Sequence, residues 1–323
     1  MKKITCFLCV LLFISILAPI DCFANRSIKT GWLAELEALA CWNAHQNKTD
    51  EKLIFDMALY PTGKRLVDSY NQWNIAACGL IPAFDVILKQ EAVIIGLGVD
   101  ETFGNILFAN NNSTILSTQG INPDYPEIYG TADTVRGKTI LCTFNSNAHM
   151  LVLTWLNIIG LTDQEVRLID VKPEEALSAF QKGMGDILAL WAPDSQLALK
   201  NNLKPIATAK DCKLNFITVI LANKNFLEKN PDDVKQFLTI YYDNAEKLNQ
   251  TKDDERARLY CAFLKEFARI NLSANDAKSI ITRQKVFTPK TFKSLLKKDK
   301  NSCLYQISKN GAIYYSNIIA VSR

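Results

Sequence analysis

The sequence predicts an α/β protein of two lobes, each a mostly parallel sheet flanked by helices. Segments typical of strands and helices alternate at short intervals, as in parallel sheets covered on both faces. Residues 92–99 form a near-continuous apolar run, which fits a strand buried on both sides. Two stretches also repeat the same order of elements, and each ends in a strand followed by a proline turn. We therefore expect two similar lobes.

In the first half of the chain, strands are predicted at residues 28–32, 53–59, 74–78 and 92–99. Helices are predicted at residues 33–46, from residue 62 to about 71, and from residue 79 onward. The first helix has apolar residues at helical spacing, including Leu33, Leu36 and Leu39. Pro82 lies near the first turn of the third helix, where proline is tolerated.

In the second half, strands are predicted at residues 139–143, 166–171, 186–190 and 214–222. Helices are predicted at residues 148–160 and 173–183, from residue 230 onward, and at 255–270 and 276–283. Gly160 suits a left-handed helix end, and Thr162 with Glu165 has capping-box spacing. The segments 110–113 and 120–126, rich in turn-forming residues, are expected to be loops or crossovers between lobes.

The N-terminus has the features of a secretory signal peptide. Met1-Lys2-Lys3 is followed by an apolar run over residues 4–20, and Ala24 closes a segment with small residues at its end. We expect cleavage after Ala24 and a periplasmic location. The alternative is a membrane anchor, but the run is short and no basic cluster follows it. The expected division is 1–24 signal peptide, 25–112 first lobe, 113–214 second lobe and 215–323 return to the first lobe.

Charge and cysteine content exclude several classes of protein. The net charge of +4 is spread along 323 residues, whereas nucleic-acid binding would require a basic stripe. Six cysteines follow the signal peptide at wide spacings, so disulfides and buried thiols both stay open. The close pairs typical of metal sites are missing there, so no metal site or cofactor is expected.

A polar helix start is the leading candidate for ligand contact. Asn145, Ser146, Asn147 and His149 follow a strand, and unpaired N–H groups at a helix start favour an anion. Simple N-capping by Asn145 or Ser146 explains the same residues. His149 could equally be a packed residue.

Further candidates follow other strands. They are Trp32, Thr62, Gly63 and Gly79 in the first lobe and Trp191 and Asp194 in the second. The aromatic residues could line a cleft or belong to the core, and the glycines could serve only turn geometry. Asp100, Glu101, Asp194 and, more weakly, Glu35 could pair with an ammonium group at the carboxyl ends of strands, although such acids usually cap helices or face solvent.

No catalytic machinery is evident in the sequence. It has neither a Gly-x-Ser-x-Gly elbow, nor a His-Glu-x-x-His motif, nor a phosphate-binding loop. Cys142 with His149 is the only plausible dyad, and it fits coincidence at least as well. We therefore expect no catalytic residues and no enzymatic activity.

The order of these motifs resembles the periplasmic substrate-binding proteins of ABC importers, in the group that serves sulfonates, nitrate, taurine and a thiamine-precursor pyrimidine. The motifs are Phe55 to Leu59 with Thr62-Gly63, Gly79-Leu80-Ile81-Pro82, Val135-Arg136-Gly137-Lys138, Ser146-Asn147-Ala148-His149, Gly183 with Gly185-Asp186, and Trp191-Ala192-Pro193. Thr62 and Asn147 replace serines of the usual pattern.

The resemblance implies a type II periplasmic-binding-protein fold and a monomer that closes over a small anionic or zwitterionic solute. It also implies a membrane permease and an ATPase as partners. The alternatives are an exported enzyme acting on a small acid, a receptor for the pyrimidine, and a signalling receptor without transport.

Overall fold

The computed structural model describes residues 26–47, 53–284, 286–291 and 294. The expected signal peptide and Cys303 lie outside the described residues. The strands are β1 (Arg26–Trp32), β2 (Leu53–Leu59), β3 (Ile75–Gly79), β4 (Ala92–Asp100), β5 (Ile106–Ala109), β6 (Thr139–Cys142), β7 (Arg167–Asp170), β8 (Ile187–Leu190), β9 (Lys204–Thr208) and β10 (Ile217–Asn223). The helices are α1 (Leu36–Gln46), α2 (Gly63–Asp68), α3 (Leu80–Leu88), α4 (Ala132–Val135), α5 (Asn147–Ile158), α6 (Pro173–Gln181), α7 (Asp194–Lys200), α8 (Lys224–Lys229), α9 (Pro231–Gln250), α10 (Asp253–Phe263) and α11 (Ala274–Ile281).

Two five-stranded sheets of matching topology form the two lobes. Their orders are β2-β1-β3-β10-β4 and β7-β6-β8-β5-β9. In each sheet one strand, β10 or β5, runs antiparallel to both neighbours, and the other four share one direction. The prediction of two similar, mostly parallel sheets flanked by helices is confirmed.

Strand β5 corrects the expected position of the lobe boundary. The sequence division placed residues 25–112 in the first lobe, but β5 pairs with β8 and β9 of the second sheet. We therefore propose that the chain enters the second lobe within residues 101–105. It returns just before β10, because Glu101 N–H donates to the Phe216 carbonyl at 3.0 Å and Phe216 N–H donates to Thr102 Oγ1 at 3.0 Å. These two hydrogen bonds join the outgoing and returning segments.

Helix boundaries follow local capping chemistry. Thr62 caps α2 by accepting from Arg65 N–H at 3.1 Å, although α2 is shorter than predicted. Pro173 occupies the first turn of α6, with Glu174 and Glu175 at the positive end of the helix. The predicted capping box of Thr162 and Glu165 is present at a short 3₁₀ turn.

Each lobe has its own apolar core. In the first lobe, α1, α9 and α10 cover one face of the sheet, with Trp32 and Tyr241 fully buried there. In the second lobe, α5 supplies Trp155, whose indole N–H donates to the Tyr129 carbonyl at 3.1 Å. Ala192 and Leu197, which follow β8 of the second sheet, pack against the first-lobe core, so the two lobes also share apolar contact.

The described cysteines are unpaired thiols: Cys41, Cys78, Cys142, Cys212 and Cys261. Burial raises the pKa of Cys142, with a smaller contribution from Asp170, to about 12. These thiols are therefore protonated and poor nucleophiles at neutral pH. Among the described helices, none has the length and apolar character needed to cross a membrane.

Candidate functional site

A cavity of about 20 Å³ lies where the two lobes meet. Its described lining residues are Leu33, Glu35, Gly63, Gly79, Pro82, Glu101, Asn105, Ser146, Asn147 and Trp191. They follow the carboxyl ends of strands in both sheets, which is the usual ligand position in α/β proteins. The volume suffices for about one water-sized group, so the lobes are closed and a larger solute requires them to separate.

Gly79 and Asn147 approach each other closely across the cavity. A Cβ atom added at Gly79 would lie 2.8 Å from Asn147 Nδ2, which is closer than real Cβ atoms come. On the first-lobe side, a Cβ atom at Gly63 would lie 2.5 Å from Pro82 Cγ. A side chain at Gly63 would meet the rigid ring of Pro82 between α2 and α3, whereas one at Gly79 would have to displace the Asn147 amide between the lobes.

The start of α5 places Ser146 and Asn147 in the cavity wall. Ser146 is the N-cap of α5, because its Oγ accepts from His149 N–H at 3.2 Å and donates to the Thr143 carbonyl at 2.6 Å. The capping role and the position in the cavity wall thus occur together in one residue.

Asn145 and His149 are turned away from the cavity. Asn145 is exposed with a left-handed backbone (φ 53°). The His149 ring stacks on Phe144 at 4.8 Å, and its Nδ1 accepts from Asn145 N–H at 3.4 Å. Burial lowers the pKa of His149, so the ring is largely neutral at pH 7. Neither residue is among the described lining residues.

Three other candidates also lie outside the lining. Trp32 is fully buried and stacks on Tyr241 at 6.0 Å, so it is a core residue of the first lobe. Thr62 caps α2. Asp194 opens α7 after the cis Ala192–Pro193 bond, and burial, with Glu174 as a weaker cause, raises its pKa to about 6. Trp191 does line the cavity.

Acidic side chains dominate the electrostatics of the cavity. Glu35 and Glu101 line it, and Glu37 is fully buried in the first turn of α1. Burial raises the pKa of Glu35, and repulsion from Glu37 raises it further, while Trp191 opposes the shift. Burial likewise raises the pKa of Glu101 and brings that of Glu37 to about 7. Of the described lining residues, none is Lys, Arg or His.

Five of the ligand contacts predicted from the sequence thus line the cavity: Gly63, Gly79, Ser146, Asn147 and Trp191. Glu101 and Glu35 were considered only as weak partners for an ammonium group. Leu33, Pro82 and Asn105 were missed. The signal that could have identified Glu101 and Asn105 is their position between the apolar runs of β4 and β5, in a segment that has to join the lobes.

Comparisons with known proteins agree with this geometry. The family described as the substrate-binding domain of an ABC-type glycine betaine transport system matches residues 118–257. A protein of Brachyspira hyodysenteriae named as an ABC transporter periplasmic binding protein is 24% identical over 207 residues, 62% of this chain and 59% of that protein. This chain is a relative of ABC-transporter substrate-binding proteins.

One further relative and one solved structure of similar fold carry sulfonate in their names. A Bacillus subtilis protein named as an aliphatic sulfonates-binding protein is 28% identical over 180 residues, 54% of this chain and 50% of that protein. The alkanesulfonate-binding protein SsuA of Xanthomonas axonopodis pv. citri, solved bound to MOPS, has a TM-score of 0.68 at 16% identity and covers 90% of this chain and 99% of its own. The structural likeness establishes the periplasmic-binding-protein fold. The chain spans only half to about three-fifths of the length of the two curated relatives.

Proposed function

We propose that this protein is the extracytoplasmic receptor of an ABC importer and binds a small organic solute between its lobes. The observation that carries the proposal is a cavity with walls from both sheets, joined by two adjacent crossing segments. Rotation about those segments opens the cavity to solvent, and closure removes the ligand from water. Closure also gives a membrane permease a surface that differs between loaded and unloaded protein.

The proposed ligand contacts are Gly63, Gly79, Ser146, Asn147 and Trp191, together with Glu35 and Glu101. Relatives named for sulfonates support an anionic or zwitterionic organic solute as the first class to test. A separate permease and ATPase would drive transport. We also propose that the receptor acts as a monomer in the periplasm, after removal of the signal peptide, and leaves its ligand chemically unchanged.

Small-angle X-ray scattering and calorimetry test this proposal together. A panel of ethanesulfonate, taurine, nitrate and ethylamine is titrated into the protein, and the radius of gyration is measured with each. We expect at least one solute to bind with one-to-one stoichiometry and to reduce the radius of gyration. Mass spectrometry should recover that solute unaltered after long incubation. A converted product would identify an enzyme instead, and binding without any change in shape would contradict closure.

A further inference from the structure

The polar atoms that lack partners in the cavity wall are all hydrogen-bond acceptors. Among the described residues, Glu35 Oε2, Asn105 Oδ1 and Asn147 Oδ1 are buried and have no donor. Glu35 is 7% exposed, Asn147 6% and Asn105 0%. Buried polar atoms are nearly always paired, so three unpaired acceptors around one cavity call for a donor from outside the chain.

Glu101 fixes the orientation of both amides. Asn105 Nδ2 donates to the Glu101 carbonyl at 3.1 Å, and Asn147 Nδ2 donates to the Glu101 carboxylate. Turning either amide over would place its oxygen against an oxygen of Glu101, which has no hydrogen to donate when ionised. The amide oxygen of Asn105 therefore has to remain free, because the Glu101 backbone carbonyl cannot donate. The amide oxygen of Asn147 remains free when Glu101 is ionised, as it would be beside an ammonium group.

The acidic side chains of the cavity wall favour the same kind of ligand group as its unpaired acceptors, a cation with N–H groups. Glu35 and Glu101 (6% exposed) line the cavity, Glu37 lies behind them, and no described lining residue is cationic. A bare anion would meet carboxylates and unpaired acceptor oxygens. A cation with N–H groups would pair the acceptors and offset the buried negative charge.

We propose that the ligand inserts a protonated amine or amidine between Glu35, Asn105, Glu101 and Asn147. This inference rests on the proposed function and narrows its ligand class to solutes with a basic N–H group, among them zwitterions such as aminosulfonates. Leu33, Pro82 and Trp191 supply the apolar wall for the carbon skeleton. Glu101 also lies in the segment that joins the lobes, so the same residue would contact the ligand and take part in the rotation of the lobes.

Matched ligands test the inference by calorimetry. Taurine and ethanesulfonate differ by the amine, taurine and its N-trimethyl form differ by the N–H groups, and ethylamine lacks the sulfonate. We expect taurine or ethylamine to bind roughly 30-fold more tightly than ethanesulfonate and trimethyltaurine, because a buried charged hydrogen bond would otherwise lose its partner. In addition, the solute that the protein captures from a cell extract, identified by mass spectrometry, should carry a basic N–H group.

Two glutamine variants distinguish a role of the carboxyl groups in ligand binding from a role in protein stability. Glu101→Gln and Glu35→Gln should each weaken binding of the amine roughly 30-fold. Because burial raises the pKa of both carboxyl groups, each variant should also raise the melting temperature of the ligand-free protein above neutral pH, where ionising a buried carboxyl group costs stability. Asp100→Asn is the matched control: Asp100 is adjacent to Glu101 but accepts from Thr102 N–H at 3.0 Å and lies outside the lining, so affinity should be retained.

Two outcomes overturn the inference in different ways. Ethanesulfonate or nitrate binding as tightly as the amines, with no loss in Glu101→Gln, refutes the amine site and leaves the receptor function intact. Failure to bind any probe or to capture any solute from the extract refutes both.

Discussion

Neutralising Glu37 should change how the stability of this protein depends on pH. Burial raises the pKa of Glu37 from 4.5 to about 7. Between these values the folded protein holds a proton that the unfolded chain has released. The free energy of unfolding therefore falls as pH rises: the contribution of Glu37 is complete below pH 4.5 and is lost as pH passes through about 7.

The size of the effect follows from that difference in pKa. At about 1.4 kcal/mol for each pH unit, an increase from 4.5 to about 7 corresponds to ~3 kcal/mol between pH 4.5 and pH 8. Glu35 and Glu101 act with the same sign, because burial raises the pKa of both. Glu37→Gln should therefore flatten the profile by ~3 kcal/mol without abolishing its slope.

Urea denaturation at half-unit intervals from pH 5 to pH 8, followed by tryptophan fluorescence, measures the profile. Glu175→Gln is the control, because Glu175 is 63% exposed and forms an ion pair with Lys172 at the protein surface; its profile should match wild type. The control also tests whether loss of any carboxylate alters the slope. An equal slope for wild type and Glu37→Gln would refute the argument that burial of Glu37 controls it.

Three further changes test the closed geometry. Gly79→Ala should enlarge the radius of gyration of the ligand-saturated protein in small-angle scattering, because the methyl group would lie 2.8 Å from Asn147 Nδ2; adding Asn147→Ser should restore it. Ser146→Asp keeps an N-cap acceptor and adds a negative charge at the cavity. By calorimetry, affinity for ethylamine should be kept or raised, whereas a fall would place an acidic group of the ligand at this helix start. Lys200→Ala removes the ion pair to Asp276 (2.5 Å) between α7 and α11, and since Lys200 is 53% exposed its contribution is below ~1 kcal/mol. Ligand affinity should change less than about fivefold, and a larger change would mean that this pair controls closure.

Most strands could be predicted from the sequence, but β5 and β9 could not. β5 follows β4 without an α-helix between them, so it breaks the alternation of strands and helices that predicts the other strands. β9 contains Pro205, which argues against a central strand. The structure places β9 at the edge of the second sheet, where a missing N–H is tolerated.

The candidate site was predictable where the signal is local. Ser146 and Asn147 open a helix directly after a strand, and Gly63 and Gly79 lie at strand-to-helix turns. Glu35 has no such signal, because it becomes part of the cavity only when the opposite lobe covers it. Trp32 ends a strand much as Trp191 follows one, yet α9 buries it against Tyr241, and nothing near Trp32 in the sequence reveals that helix.

The position of β10 between β3 and β4 has a consequence for biogenesis. As the chain emerges during export with its N-terminal part first, the portion up to residue 209 already contains every strand of the second sheet. It still lacks the strand that has to join β3 to β4. The second sheet can therefore form first, while β3 and β4 of the first sheet still have unpaired edges that could pair with other strands.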